Sequence, residues 1–297
     1  MRHLSILFLM CSFIGTIHGQ DQARSVFDRI ALRRYYQCQN SQAAPAVITY
    51  YNPKNNDASW MLSAALGINV LPDTDVVISL SPYLEYHRNT LIDREQDNFQ
   101  AGLALEWQMR DMFEKKWSPI LISSVKYNQD NENRVTSFMG NYYVTFLFKG
   151  KAMNPKYFWL PNTRVNFGKA FQFVYTPYIG LENENRSAVD ITADEGSIYR
   201  AYFRVTSNIR LFPKHETLAD RIEFNIDWQY RYNLSETVDN LITSDHQYFS
   251  ASFDYLFYTS EDGRKVVKIG FDYTNGDDPS KNFEDQSFYA LSLKVRL

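Results

Sequence analysis

Residues 221–233 read Arg-Ile-Glu-Phe-Asn-Ile-Asp-Trp-Gln-Tyr-Arg-Tyr-Asn, with an apolar or aromatic side chain at every second position. The even-numbered residues from Ile222 to Tyr232 are apolar or aromatic, and the odd-numbered ones are polar or charged. Successive side chains of a β-strand point to opposite faces, whereas a helix would scatter these aromatic residues around its circumference. The stretch therefore predicts a strand with one apolar face and one wet face.

The same alternation recurs from residue 45 to the end of the chain. Short clusters of Asp, Asn, Glu, Lys, Gly and Pro separate the alternating segments, as expected for turns. An even number of strands places both termini on one side of a closed up-and-down barrel. The predicted strands are 45–51, 58–71, 74–87, 98–110, 116–127, 134–149, 164–181, 197–211, 221–233, 246–259, 265–274 and 286–297.

Two kinds of β-protein fit this pattern. A soluble sandwich would bury the apolar face and leave the mid-strand charges in bulk water, whereas a membrane barrel would do the reverse. Strands of ten residues or more match a tilted span of the hydrocarbon layer. Aromatic residues make up 16% of the chain, and Trp and Tyr near the segment ends fit aromatic girdles. We therefore predict an all-β fold, a transmembrane antiparallel β-barrel of about twelve strands in an up-and-down meander.

The polar faces of these strands would line the barrel lumen. A bore of this size lies between a filled eight-strand barrel and an open sixteen-strand pore. Charges in a partly wet interior must pair or be hydrated, and the mixture of signs favours pairing across the lumen. The predicted lumen-lining residues are Glu106, Arg200, Arg204, Arg210, Glu223, Asp227, Arg231, Asp254, Lys268, Asp272, Lys294 and Arg296.

The beginning of the chain predicts export. A short polar start is followed by an apolar run from Leu4 to Ile17, too short to span a membrane, and then by Gly19 and a polar stretch. We expect a signal peptide at 1–19, an N-terminal segment at 20–44 and the barrel at 45–297. Residues 20–44 fit either a periplasmic extension or a plug helix that enters the barrel. Val26, Ile30 and Tyr35 would form the apolar face of a short basic amphipathic helix that also carries Arg24, Arg29, Arg33 and Arg34. Cys38 is the only cysteine after the signal, so no internal disulfide is expected.

The last strand carries the most specific resemblance. From Ser287 to Leu297 apolar and polar residues alternate, and the chain stops on an apolar residue. This resembles the C-terminal strand of Gram-negative outer-membrane β-barrel proteins, although their last residue is usually aromatic. The resemblance covers residues 45–297 and indicates a class of proteins, not a specific family. It implies a place in the outer membrane, contact with its lipid and lipopolysaccharide, and recognition by the barrel insertion machinery.

Composition and motifs exclude several functions. The net charge is −3 and there is no basic run, so a nucleic-acid partner is not expected. Metal-protease, nucleotide-binding and paired-cysteine motifs are absent, so we expect neither a metal nor a cofactor. The only enzyme hypothesis is a lipid hydrolase, in which a rim histidine activates a serine. Its weak catalytic candidates are His87, His246 and Ser250, and no phospholipase-like His-x-Ser-Asn-Gly stretch supports them.

Three functions stay open on the sequence. One is a structural or surface-interaction barrel with a largely filled charged lumen and acidic outer loops, predicted at 182–196 and 275–285. The second is a narrow channel or small-solute transporter. The third, with the least support, is the lipid-modifying hydrolase. The oligomeric state is not determined by the sequence.

Overall fold

A computed structural model gives the structure of the chain. It describes residues 29–37, 39–40, 43–51, 59–71, 78–90, 95–112, 115–148, 154–188, 195–219, 221–239, 243–260, 265–279 and 283–297. The expected signal peptide and Cys38 lie outside these residues.

The fold is an antiparallel β-barrel in which each barrel strand pairs with its neighbours along the chain. The last strand pairs with β2, which closes the sheet and confirms the predicted closed barrel of twelve strands. Within the described ranges, no helix is long and apolar enough to cross a membrane. The strands are β1 (Ile30–Arg33), β2 (Ala46–Tyr51), β3 (Ser59–Ile68), β4 (Ile78–Asn89), β5 (Gln96–Gln108), β6 (Trp117–Asp130), β7 (Val135–Phe148), β8 (Val165–Phe167), β9 (Phe171–Ala188), β10 (Gly196–Leu211), β11 (Ile222–Glu236), β12 (Asp245–Thr259), β13 (Val266–Asp278) and β14 (Glu284–Arg296).

Strands β1 and β2 share one position in the wall. Arg33 lies opposite Ala65 of β3, and Val47 lies opposite Ser63 two residues earlier on the same strand. Continuing this register places Ala46 opposite the intervening residue, so β2 begins where β1 stops. Between them, the described residues 34–37, 39–40 and 43–45 leave the wall, and several of them contact side chains of the barrel interior. We call residues 34–45 the plug.

The helix considered for the N-terminal segment is not what the described residues form. Ile30 lies in β1, and Tyr35 lies in the plug, which is an irregular loop. The backbone of β1 finds its hydrogen-bond partners in the barrel wall. The amide of Leu32 donates to the carbonyl of Leu297 at 3.3 Å, and the amide of Leu297 donates back at 3.2 Å.

The wall has a seam between β7 and β9. Their pairing stops at Val144 and Ile179, although both strands continue toward the barrel end that carries Arg29 and Leu297. A segment containing a 3-10 turn (Pro155–Tyr157) and β8 lies in the gap, and β8 pairs with the start of β9. The single strand predicted at 164–181 is therefore two strands, joined by a turn at Gly168, whose φ is +63°.

The distribution of side chains is the reverse of that in an ordinary globular protein. Outward-facing residues are mostly apolar or aromatic, and Tyr50, Ile179 and Tyr289 each expose more than half of their surface. Inward-facing residues include many buried charges and amides. The apolar face of the 221–233 pattern is thus the outer surface of the barrel, and its polar face lines the interior.

Candidate functional site in the barrel interior

An alternating row of charges runs along the inner wall from β10 to β14, near the barrel end that carries Leu297. We call it the charge row, and its members are Arg210, Glu223, Lys268, Asp254, Lys294 and Asp272. Asp254 is fully buried and lies 2.6 Å from the ammonium groups of both Lys268 and Lys294. Lys294 also contacts Asp272 at 2.5 Å, and Lys268 contacts Glu223 at 3.4 Å. Each charge in the middle of the row has an opposite charge on both sides, which compensates for its burial.

A glycine makes room for the charge row. A Cβ atom on Gly270 would lie 2.0 Å from Oδ1 of Asp254 and 2.6 Å from Nζ of Lys294. Neither contact is compatible with van der Waals radii, so a larger residue would displace the Asp254–Lys294 pair. Because Gly270 has no side chain, the Asp254–Lys294 pair can occupy this space.

A second ion pair lies further along the lumen and holds the plug. The guanidinium of Arg204 donates to both carboxylate oxygens of Asp227, at 2.8 and 2.6 Å. It also donates to the hydroxyl of Tyr35 at 2.5 Å and to the carbonyl of Gln37 at 3.4 Å. This single side chain therefore connects two wall strands with the plug.

Near the opposite end of the barrel, two glutamates of β9 hold three arginines. Glu184 pairs with Arg186 at 2.7 Å and with Arg200 at 2.8 Å, and Glu182 pairs with Arg231 at 2.8 Å. The sequence pattern placed both glutamates in a solvated acidic loop, which is wrong because β9 continues to Ala188. Of the other acidic residues predicted in that loop, Asp190 and Asp194 lie outside the described residues.

The plug is packed against the wall by an aromatic stack. The rings of Tyr36 and Tyr83 lie 4.6 Å apart and nearly parallel, and the guanidinium of Arg33 lies over Tyr36. A Cβ on Gly67 would meet the Tyr36 hydroxyl at 2.3 Å, and one on Gly102 would meet the Tyr83 ring at 2.7 Å. The wall thus has glycines behind both rings.

Hydrogen bonds to buried carboxylates fix the plug backbone. The amide of Tyr36 donates to Glu85 at 2.7 Å, and the amide of Asn40 donates to Glu106 at 2.6 Å. Arg296 donates to the carbonyl of Ala43 at 3.1 Å. Carboxylates and a guanidinium thereby satisfy backbone groups that no sheet partner reaches.

A chamber of about 50 Å³ remains between the plug and the wall. It has charges of both signs on its surface. Its lining residues are Arg34, Tyr35, Gln37, Glu85, His87, Gln100, Lys126, Arg204, Asp227, Gln229, Tyr248, Asp278 and Pro279.

The structure does not bring the catalytic candidates together. His87 is buried beside Glu85, with 3.5 Å between Nε2 and Oε2, and His246 pairs with Asp277 at 3.0 Å and stacks on Phe283. Both lie close to strand ends, as the sequence predicts, but both are buried rather than solvated. Ser250 lies on β12 opposite Asp227 and Thr274, and no hydrogen bond joins it to either histidine in the described part of the chain.

Every lumen residue singled out in the sequence has a partner inside the barrel. Glu106 and Arg296 bind the plug, and the others form the ion pairs above. Sequence reasoning missed Glu182, Glu184, Glu85 and Lys126. For the first two a signal existed, because Glu182, Glu184 and Arg186 continue the period of two after the apolar residues end. Among the described residues there is no group of three or more side chains suited to hold a metal ion.

Comparisons with known proteins found no match, either to a protein-family model or to a curated protein sequence.

Proposed function

We propose that the chain is an exported outer-membrane barrel with a sealed lumen, which acts as a rigid support for its surface loops rather than as an open pore. The occupied interior carries this proposal. The plug contacts β4, β5, β10 and β14 and so reaches facing parts of the wall, while the ion pairs cover the inner wall between strands one or two places apart. A chamber of about 50 Å³ lies between the plug and the wall. Hydrated ions or solutes need a continuous water-filled bore to cross.

The outer surface supports the membrane part of the proposal. Apolar and aromatic residues face outward along the strands, and charges face inward, as in barrels that replace bulk water by lipid on the outside. Trp60, Trp107 and Trp117 are outward-facing and partly exposed close to strand ends, where interfacial aromatic residues lie. The closed ladder leaves few backbone groups to satisfy in hydrocarbon.

The partners proposed for this barrel follow from the same surface. Lipid would contact the apolar band, and lipopolysaccharide would surround the barrel end opposite Leu297. The insertion machinery would recognise the C-terminal strand β14, which ends at Leu297. The lipid-hydrolase alternative has no support from the geometry, because His87 and His246 each face a carboxylate rather than Ser250.

Conductance in planar bilayers tests the sealed lumen. We expect the native protein to insert without producing step currents. The matched variant deletes 34–45, which joins Arg33 directly to Ala46 without changing the strand register. It should leak ions, because the plug and the Arg204–Tyr35 contact are gone.

Two controls make the conductance result interpretable. Both proteins should migrate faster on a denaturing gel before boiling than after it, which shows that the closed ladder has formed. Regular current steps from the native protein would favour the narrow-channel alternative and contradict the sealed lumen. Release from cells in a soluble fraction without detergent would contradict the membrane location.

A further inference from the structure

Exposed lysines are distributed around the barrel end that carries Leu297. Each of four connections at this end has at least one of them, from the β5–β6 connection round to the β12–β13 connection. The strands from β5 to β13 make up more than half of the wall. We call these lysines the basic rim, and they are Lys115, Lys116, Lys156, Lys169, Lys214 and Lys265.

The surface charge of the barrel is polarised along its axis. In the described parts of the four connections, Glu216 is exposed, Asp111 is half-buried, and there is no other acidic residue. At the opposite end, Arg134 is the one exposed cation among the described residues. The exposed acidic residues of that end include Glu95, Glu132, Glu195, Glu236, Asp239 and Asp245.

Exposed aromatic residues lie beside the basic rim. Trp107 and Trp117 flank the β5–β6 connection, and the guanidinium of Arg110 lies 4.0 Å from the centre of the Trp117 ring. Phe212 is exposed and comes two residues before Lys214. Aromatic rings at the headgroup level, next to long cationic side chains that extend past them, are typical of a membrane interface.

The distribution of the basic rim favours a partner that surrounds the barrel. A soluble partner would contact the tips of the connections and would leave the outward-facing rings of Trp107 and Trp117 uncovered. A lipid leaflet instead meets the wall and its connections on every side, and each lysine near an anionic leaflet strengthens the attraction. The whole chain has a net charge of −3, so an attraction to anionic lipid must come from this end.

We propose that the basic rim binds the headgroups of anionic phospholipids in the membrane leaflet at the Leu297 end. Anionic lipid is thereby enriched around this end over zwitterionic lipid. This role rests on the proposed membrane location, because only a barrel in a bilayer presents its rim to a leaflet. It does not depend on the sealed lumen.

Quenching of tryptophan fluorescence by brominated lipids tests this role. The barrel is reconstituted in phosphatidylcholine bilayers in which a fixed fraction of the lipid is brominated near the headgroup, either as phosphatidylglycerol or as phosphatidylcholine. Trp60→Phe and Trp228→Phe confine the signal to the three remaining tryptophans, Trp107, Trp117 and Trp159. We expect the anionic lipid to occupy these positions roughly threefold more often than the zwitterionic lipid. The preference should fall in about 1 M salt, which screens exposed charges.

Two sets of substitutions in this background separate the basic rim from the net charge. Replacing Lys115, Lys116 and Lys156 by Gln removes the lysines nearest to the tryptophans, and the two lipids should then occupy their surroundings about equally. The matched control replaces Glu95, Glu132 and Glu195 by Gln, and it should leave the preference unchanged. All six side chains are exposed, so neither set disturbs the packing of the wall.

The possible results distinguish the basic rim from the membrane location. If neither brominated lipid quenches the fluorescence, the barrel is not in the bilayer, and the membrane location is wrong together with the role of the rim. Equal quenching by both lipids in the native chain would keep the membrane location, overturn the lipid role and assign the rim to a soluble acidic partner. A preference that rises in the glutamate set as much as it falls in the lysine set would assign it to net charge, which also overturns the role of the rim.

Discussion

Asp254 shows how single residues hold the interior together. It is a fully buried carboxylate between two ammonium groups, on strands that are neighbours in the wall. Its oxygens also accept hydrogen bonds from Asn225 and Ser252. Because one side chain satisfies several buried donors, its loss affects all of them at once.

We expect Asp254→Asn to lower the free energy of unfolding by about 3–5 kcal/mol, because it leaves Lys268 and Lys294 without their shared counter-charge. Asp272→Asn is the matched control, since Asp272 is more exposed and binds Lys294 alone. Its cost should be clearly smaller. Reversible denaturant unfolding in detergent micelles measures both. Equal losses would mean that the row behaves as separate pairs.

At this scale, the sequence predicts the charges but not their pairing. Period two identifies which residues face inward, so Arg204, Asp227 and Lys294 can be located without a structure. Their partners depend on strand register and on which neighbouring strand brings a carboxylate within reach. Arg200 illustrates this, because it pairs with Glu184 on β9 and not with the carboxylates of β11.

The plug is the element that least resembles its sequence prediction. Alternating apolar and polar residues identify the strands, and the sequence predicts most barrel strands to within a few residues at each end. The plug has no such alternation, and its described residues contact separate parts of the wall, among them β4, β5, β10 and β14. Tyr36 and Asn40 are held by Glu85 and Glu106, which are far away in the chain. A single sequence contains no signal for such contacts.

A double-mutant cycle tests the fit of the plug against the wall. Gly67→Ala should destabilise the barrel by about 1–3 kcal/mol, because the added methyl group overlaps the Tyr36 hydroxyl. In a Tyr36→Ala background the same substitution should cost much less. The coupling energy from the four unfolding curves measures the contact. Additive losses would show that Tyr36 does not lie against Gly67.

The seam between β7 and β9 depends on one asparagine. Its Nδ2 donates to the carbonyl of Phe146 at 2.8 Å, and its Oδ1 accepts from Thr176 at 2.6 Å. This residue, Asn162, has a φ of +53°, a conformation that asparagine tolerates better than most residues. It therefore replaces a wall hydrogen bond where the two strands separate.

Asn162→Gly keeps this backbone conformation and removes the side-chain bonds. We expect a loss of about 1–3 kcal/mol, since buried partners are left unsatisfied. Amide hydrogen exchange should speed up in the terminal parts of β7 and β9. Asn154→Gly, which removes an exposed cap, is the control and should leave exchange at the seam unchanged. Unchanged exchange at the seam in both variants would show that the Asn162 side chain does not hold the seam together, and would leave that role to β8.

Across the whole molecule, the apolar surface lies outside and the charged surface inside. Ile226 and Asp227 are adjacent on β11 and face opposite sides of the wall. A substitution at Ile226 therefore tests whether the outer face of the wall contacts lipid. In lipid vesicles, Ile226→Arg should cost roughly 2–4 kcal/mol if Ile226 faces the middle of the bilayer. Ile226→Leu keeps the surface apolar and should cost little. A tolerated arginine would contradict the lipid-facing assignment.

The barrel wall closes where the first described strand meets the last residue of the chain, and this closure affects how the chain folds. Leu32 bonds to Leu297, so the first described strand and the last residue of the chain must meet before the cylinder is complete. Bringing such distant segments together costs loop-closure entropy and slows folding. Because residues 34–45 follow β1 directly, they are enclosed during that same slow step. Folding of the deletion variant should therefore be faster, since its closing step no longer has to order the enclosed segment.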